Sequence, residues 1–159
     1  MAVRLTNTQR KIRIPASTLK RAAEATLSSL GYEKADLDIL VCGDARMRSL
    51  NRRWRGVDAA TDVLSFPAPE GDAPGAKRGR PGKGRNGPPA VLGDIVISAQ
   101  RAKAQAVEIG QPLTDELLFL LVHGILHLAG YDHEGKAGEG RRMMRKQREL
   151  VGAIRPSKG

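Results

Sequence analysis

The sequence predicts one globular domain built from both α-helices and β-strands. Three observations predict it. The chain has 159 residues, about the length of one domain. Hydrophobic residues make up 40% and charged residues 28%, enough to bury a core without disulfide staples. Apolar residues recur with the strand period in some segments and with the helix period in others.

The elements follow in order. "VRLTN" and "RKIRIP" look extended. "STLKRAAEATLSSLG" carries Leu19, Ala22, Ala23, Leu27 and Leu30 at helical spacing, with Ser17 as expected N-cap and Gly31 past the end. "ADLDILVCG" alternates Leu37, Ile39 and Val41 and predicts a strand. "DARMRSLNRRWRG" predicts a short amphipathic helix, capped by Asp44 and ended by Gly56, with Met47, Leu50 and Trp54 as its apolar stripe. "TDVLSFP" predicts a strand closed by Pro67, and "VLGDIVIS" another. Ser98 then caps the helix "AQRAKAQAVEIG", which Gly110 ends. Thr114 or Asp115 caps a long apolar helix running to about Ala129, with Gly130 beyond it. A last helix falls within 136–153. The domain therefore spans 1–153, followed by a flexible tail at 154–159.

Between Pro67 and Ala90 almost no side chain is both apolar and larger than Ala. Such a segment cannot offset its ordering entropy by burial, which predicts a mobile loop, basic over 71–89, within the domain. Net charge is +10, and it is not spread evenly. Residues 71–89 hold five Lys/Arg against one acid, and 136–159 hold eight against two. The rest is balanced. Charge gathered in a loop and a terminal segment suits a polyanionic partner, with plain solubility as the alternative.

Cys42 is the only cysteine, so no intramolecular disulfide exists. Its apolar setting predicts a buried, inert thiol, as suits a reducing cytosol. "MAVRLTNTQRKIRIP" lacks an apolar signal segment, and "LLFLLVHGILHLAG" is shorter than the ~20 residues a membrane span needs. A cytoplasmic protein without a membrane partner is expected.

All three histidines, His123, His127 and His133, fall within "HGILHLAGYDH". Spacing of four puts His123 and His127 on one helix face. Gly130 and the following turn can return His133 to the same ion, at the end of the buried helix. Three imidazoles leave one tetrahedral position open, the arrangement of catalytic sites, whereas closed structural sites take a fourth side chain. Water there can approach a pKa of ~7. Ordinary histidines near a core are the alternative. It is weak for three on an apolar helix, where each ring would be poorly solvated. The zinc-protease pattern has Glu directly after the first histidine; here that residue is Gly124, which disfavours a peptidase.

These residues resemble the YbeY family of bacterial rRNA maturation factors. "HGILHLAGYDH" resembles its three-histidine motif, "LNRRWRGVDAATDVLSFP" its second block, and "LGDIVIS" its third, in matching order and spacing. The resemblance implies an α+β fold, with a small mixed sheet packed by about five helices. It implies one zinc ion per chain on His123, His127 and His133. It also implies that Arg55 stands in the active-site cleft as a catalytic residue. Its planar guanidinium can bind two nonbridging phosphate oxygens at once. Without the resemblance, Arg55 reads as a solvated cation near a helix C-terminus. The implied activity is a single-strand-specific, metal-dependent endoribonuclease. It would act in 16S rRNA 3′-end maturation and ribosome quality control, with rRNA, the small ribosomal subunit and a ribosomal protein as partners.

Asp62 and Asp94 sit in predicted strands, where either can orient a ligating imidazole or simply bond to backbone. Asp132 reads as a turn former, and Ser65 has no neighbouring base to activate it. Only five aromatics are present, which argues against base stacking as the main mode of RNA binding. Two features depart from the family: a longer basic loop at 71–89 and a basic segment after the third histidine, where relatives are often acidic. Two rival functions remain: a non-catalytic assembly factor with a structural zinc, and a zinc hydrolase of another substrate class.

Overall fold

The computed structural model describes residues 2–68, 91–131 and 139–154. The expected loop 71–89, Asp132 and His133 lie outside these residues. So does the expected tail, except that Ile154 is the last residue of a helix.

The chain runs β1 (Val3–Asn7), α1 (Ala16–Ser29), β2 (Asp36–Cys42), α2 (Asp44–Arg55), β3 (Val63–Pro67), β4 (Val91–Ser98), α3 (Ala99–Ile109), α4 (Leu113–Leu128) and α5 (Glu139–Ile154). The sheet order is β1-β2-β4-β3, with β1, β2 and β4 parallel and β3 antiparallel to β4. This is the expected α+β domain, a small mixed sheet with five helices among the described residues.

Alternation along the strands divides the sheet into two faces. Leu37, Ile39 and Val41 of β2, with Ile95 and Ile97 of β4, meet α1 and α4 in the main core. On the opposite face, Cys42, Leu64 and Val96 meet Met47 of α2. A third cluster joins Val122 and Leu126 of α4 to Met143 and Leu150 of α5. Helix α4 touches α1, α3, α5, β3 and β4, so most of its apolar residues are buried, Phe119 excepted. Each fully buried leucine there contributes about 1.5–3 kcal/mol. This burial explains the long apolar run, and no single helix among the described residues is long and apolar enough to cross a membrane. Burial also pushes the Cys42 thiol up to about 11, as an inert cysteine requires.

Several local expectations need correction. "RKIRIP" forms no strand; the Gln9 side chain ties to the backbone of Ile12 instead. Helices α1 and α4 begin after Pro15 and Pro112, not at a side-chain cap on Ser17, Thr114 or Asp115. Gly43 occupies the N-cap position of α2, while Asp44 lies inside and accepts a hydrogen bond from Ser98 Oγ at 2.6 Å. Ser98 does cap α3, accepting from Arg101 N at 3.2 Å.

Strand β3 is an edge strand. Ser98 N donates to Asp62 O, and Ala68 N donates to Leu92 O, so alternation turns the backbone groups of Val63, Ser65 and Pro67 away from β4. Val63 N donates to Asp62 Oδ1 at 2.8 Å. Ser65 O accepts from Arg55 Nη2 at 2.7 Å. Pro67 has no N–H to offer. Across the strand pair, Gly93 has φ +149°, and a Cβ there would lie 2.4 Å from Phe66 O. Only glycine fits where β4 passes β3 so closely.

Candidate active site

His123 and His127 project from the last two turns of α4 with ring centroids 4.7 Å apart and planes at 70°. Both line a cleft of about 340 Å³, opposite Arg55, Ser65 and Pro67. The spacing that placed the two imidazoles together in the sequence does so in the fold. Arg55, the last residue of α2, reaches the same cleft from the other side of β3. Its bond to Ser65 O and its guanidinium 5.5 Å from the Phe66 ring centre hold it there.

The remaining expected residues divide. Asp62 lines the cleft, with Oδ1 accepting from Val63 N and from Thr61 Oγ1, and Oδ2 accepting from Gln105 Nε2 at 3.2 Å. It holds the edge of β3 in place. Asp94 belongs to the opposite face, in a groove beside Asp38 and Arg4, so the structure does not bring it to the rings of His123 and His127. Burial, then the neighbouring Asp38 charge, raises its pKa above the usual carboxylate range. His133 lies outside the described residues.

Helix α5 supplies a residue that the sequence reading missed. Gln147, 4% exposed, places Oε1 3.3 Å from His123 Nδ1, while its Nε2 donates to Phe119 O at 3.0 Å. A carbonyl can only accept, so the Phe119 bond fixes which end of the amide faces His123. Oε1 there makes His123 Nδ1 the protonated nitrogen and leaves the lone pair on Nε2. The Phe119 ring stacks on His123 at 18° and 6.5 Å, further fixing the imidazole plane. One signal was available: Met143, Gln147 and Leu150 form the apolar stripe of α5, and glutamine is out of place on it.

Gly124 is explained by packing. A Cβ there would meet Ile95 at 3.1 Å, so position 124 faces the sheet while His123 and His127 face the cleft. A glutamate at this position would point into the core. The Gly124 carbonyl accepts from Ser65 Oγ at 3.3 Å, joining α4 to the edge strand.

The donor set fits a divalent metal in part. Two imidazoles on tetrahedral zinc, with Zn–N of ~2.0–2.1 Å, have ring centroids on the order of 5 Å apart, close to the separation observed. Among the described residues no three His, Cys, Asp or Glu side chains gather.

The family described as Endoribonuclease YbeY matches residues 4–155. Proteins named Endoribonuclease YbeY from Anaeromyxobacter sp. and Pelotomaculum thermopropionicum are 45% and 41% identical to this chain. Those alignments cover 96% and 97% of this chain, and 72% and 97% of the relatives. A third, from Geobacter sulfurreducens, is 41% identical over 97% of this chain and 96% of its own. The solution structure of TM1509 from Thermotoga maritima superposes with a TM-score of 0.62 at 26% identity, covering 96% of this chain and 88% of that one. Likeness of this extent, in sequence and in fold, gives a single assignment: the chain belongs to the YbeY endoribonuclease family.

Proposed function

We propose that this chain is a metal-dependent endoribonuclease that cuts single-stranded rRNA during maturation of the small ribosomal subunit. Family membership supports the nuclease activity and RNA as substrate. The observation that carries the site assignment is the shared cleft. Arg55 and the pair His123 and His127 come from helices far apart in sequence and line one cavity.

His123 and His127, with His133, would hold the ion, which we assign as zinc. When bound, it supplies a Lewis acid and lowers the pKa of water in the cleft. The chain's own residues do the rest. Arg55 is pre-positioned by Ser65 O, so its remaining N–H groups can bind nonbridging oxygens as negative charge develops. Gln147 holds the His123 tautomer. Asp62 keeps the cleft wall in register through Val63 N and Gln105. The proposed setting is the cytoplasm, with the small subunit and one of its proteins as partners.

The test compares wild type, Arg55→Ala and His123→Ala for metal content, folding and cleavage of unstructured RNA. Arg55→Ala is expected to keep its metal and fold while kcat falls by about 10²–10³. His123→Ala is expected to lose both metal and cleavage. Unchanged cleavage by Arg55→Ala would remove this arginine from the chemistry. Unfolding on chelation, with no cleavage by pure protein, would instead identify an assembly factor with a structural metal.

A further inference from the structure

Trp54 is the only tryptophan of the chain, and it is 60% exposed. It was expected to continue the apolar stripe of Met47 and Leu50. Met47 is fully buried, but the stripe leaves the core before Trp54. A large aromatic left in water, on a helix carrying five arginines, presents its ring to any ligand on that face.

Its neighbours narrow the chemistry. The Arg53 guanidinium lies 5.2 Å from the Trp54 ring centre. Trp54 meets Phe66 edge-on, with centroids 6.5 Å apart and planes at 66°. Phe66 in turn lies 5.5 Å from the Arg55 guanidinium. The result is a continuous row of cation, ring, ring and cation. One end of the row is the arginine that lines the cleft with His123 and His127. Arg46 borders the same groove as Trp54 and Phe66, which Asp38 and Asp94 also line, so the row of arginines and not the groove as a whole carries the positive charge.

We propose that Trp54, braced by Phe66 and flanked by Arg53, is a stacking platform for an unpaired RNA base next to the cleft. A strand whose phosphate is held at Arg55 carries the adjacent base past Phe66 and Trp54. Every base has a π-face, so the platform tolerates any sequence. A duplex hides those faces within its own stack. The platform therefore gives the preference for single strands a physical source, which charge alone would not. A protein segment docking on Trp54 would find the same arginines, but they and the adjoining nuclease cleft favour the polyanion. The inference rests on RNA being the substrate of that cleft.

The test titrates the full-length chain with an unstructured oligoadenylate and with a blunt RNA duplex of equal length. Binding is followed by anisotropy of labelled RNA and by emission of the single tryptophan, with strand integrity checked on a gel. Emission is expected to change in step with single-strand binding. Trp54→Leu, with circular dichroism and thermal midpoint as folding controls, is expected to weaken single-strand binding about 5- to 150-fold. Duplex affinity should stay within about twofold, and Trp54→Phe should recover most of the single-strand loss, since a phenyl ring still stacks. Equal single-strand affinity of Trp54→Leu, or an equal loss for both RNAs, overturns the platform and leaves the nuclease assignment standing. Absence of binding to either RNA by wild type would overturn the substrate assignment itself.

Discussion

Replacing Gln147 with methionine separates the contact to His123, a proposed metal ligand, from the fold that surrounds it. Methionine has nearly the same length and suits both a helix and an apolar site. The change removes the acceptor 3.3 Å from His123 Nδ1 and the donor to Phe119 O. The Phe119 carbonyl keeps its place in the helical ladder. The His123 N–H loses the Gln147 acceptor, and a buried hydrogen bond lost in this way costs about 1–3 kcal/mol. His123 is only partly buried, so the low end applies, and methionine's added apolar burial offsets about 1 kcal/mol of it. Stability should therefore fall by no more than about 1 kcal/mol. At about 2–4 °C per kcal/mol for a chain of this size, the thermal midpoint drops only a few degrees. Zinc affinity should fall further, by about 10- to 100-fold, as when the partner of a ligating imidazole is removed. Competition against a chromophoric chelator measures this directly on folded protein. Gln147→Glu keeps an acceptor facing Nδ1 but gives up the donor to Phe119 O, so it should recover zinc affinity relative to Gln147→Met at a further cost in stability. Wild-type affinity in Gln147→Met, alongside lost binding in His123→Ala, would refute the orienting role.

Two further outcomes follow from packing and burial. Gly93→Ala should destabilise the chain by about 3 kcal/mol or more, because the new methyl meets Phe66 O at 2.4 Å in a conformation that suits glycine; urea unfolding measures it. Burial raises the Glu116 pKa above the usual carboxylate range, so the folded state holds this proton more tightly than the unfolded one. Stability is therefore lost as pH rises through the folded-state pKa. Glu116→Gln, whose amide oxygen can still accept from Gln111, should be more stable than wild type near pH 7. That advantage should fade as pH falls below the ordinary glutamate range, and an advantage independent of pH would contradict it.

The parts of the site legible in the sequence are those fixed by local periodicity. Four-residue spacing on a helix brought His123 and His127 together, and alternation in β2 gave the core face. Spacing alone could not assign Asp94, because its side of the sheet depends on the register of β4 against α4, where Ile95 meets Gly124. Trp54 was assigned to a stripe that is helical in period but runs past the end of the surface it packs on. Gln147 stands 24 residues from His123, and only the packing of α5 on α4 brings them together. The caps at Ser17 and Thr114 or Asp115 failed for one reason: the preceding prolines, Pro15 and Pro112, already set the helix starts.

The outward side of β3 has a consequence beyond chemistry. Unpaired strand borders recruit other polypeptides, and natural proteins block them with proline or charge. Here the blocking groups are Pro67, the Asp62 carboxylate and the Arg55 guanidinium, all of which also line the cleft. Protection from self-association and the proposed handling of substrate thus draw on one set of side chains. Selection on either property constrains the other, and a variant that disarms the arginine also uncovers a carbonyl that a neighbouring molecule can pair with.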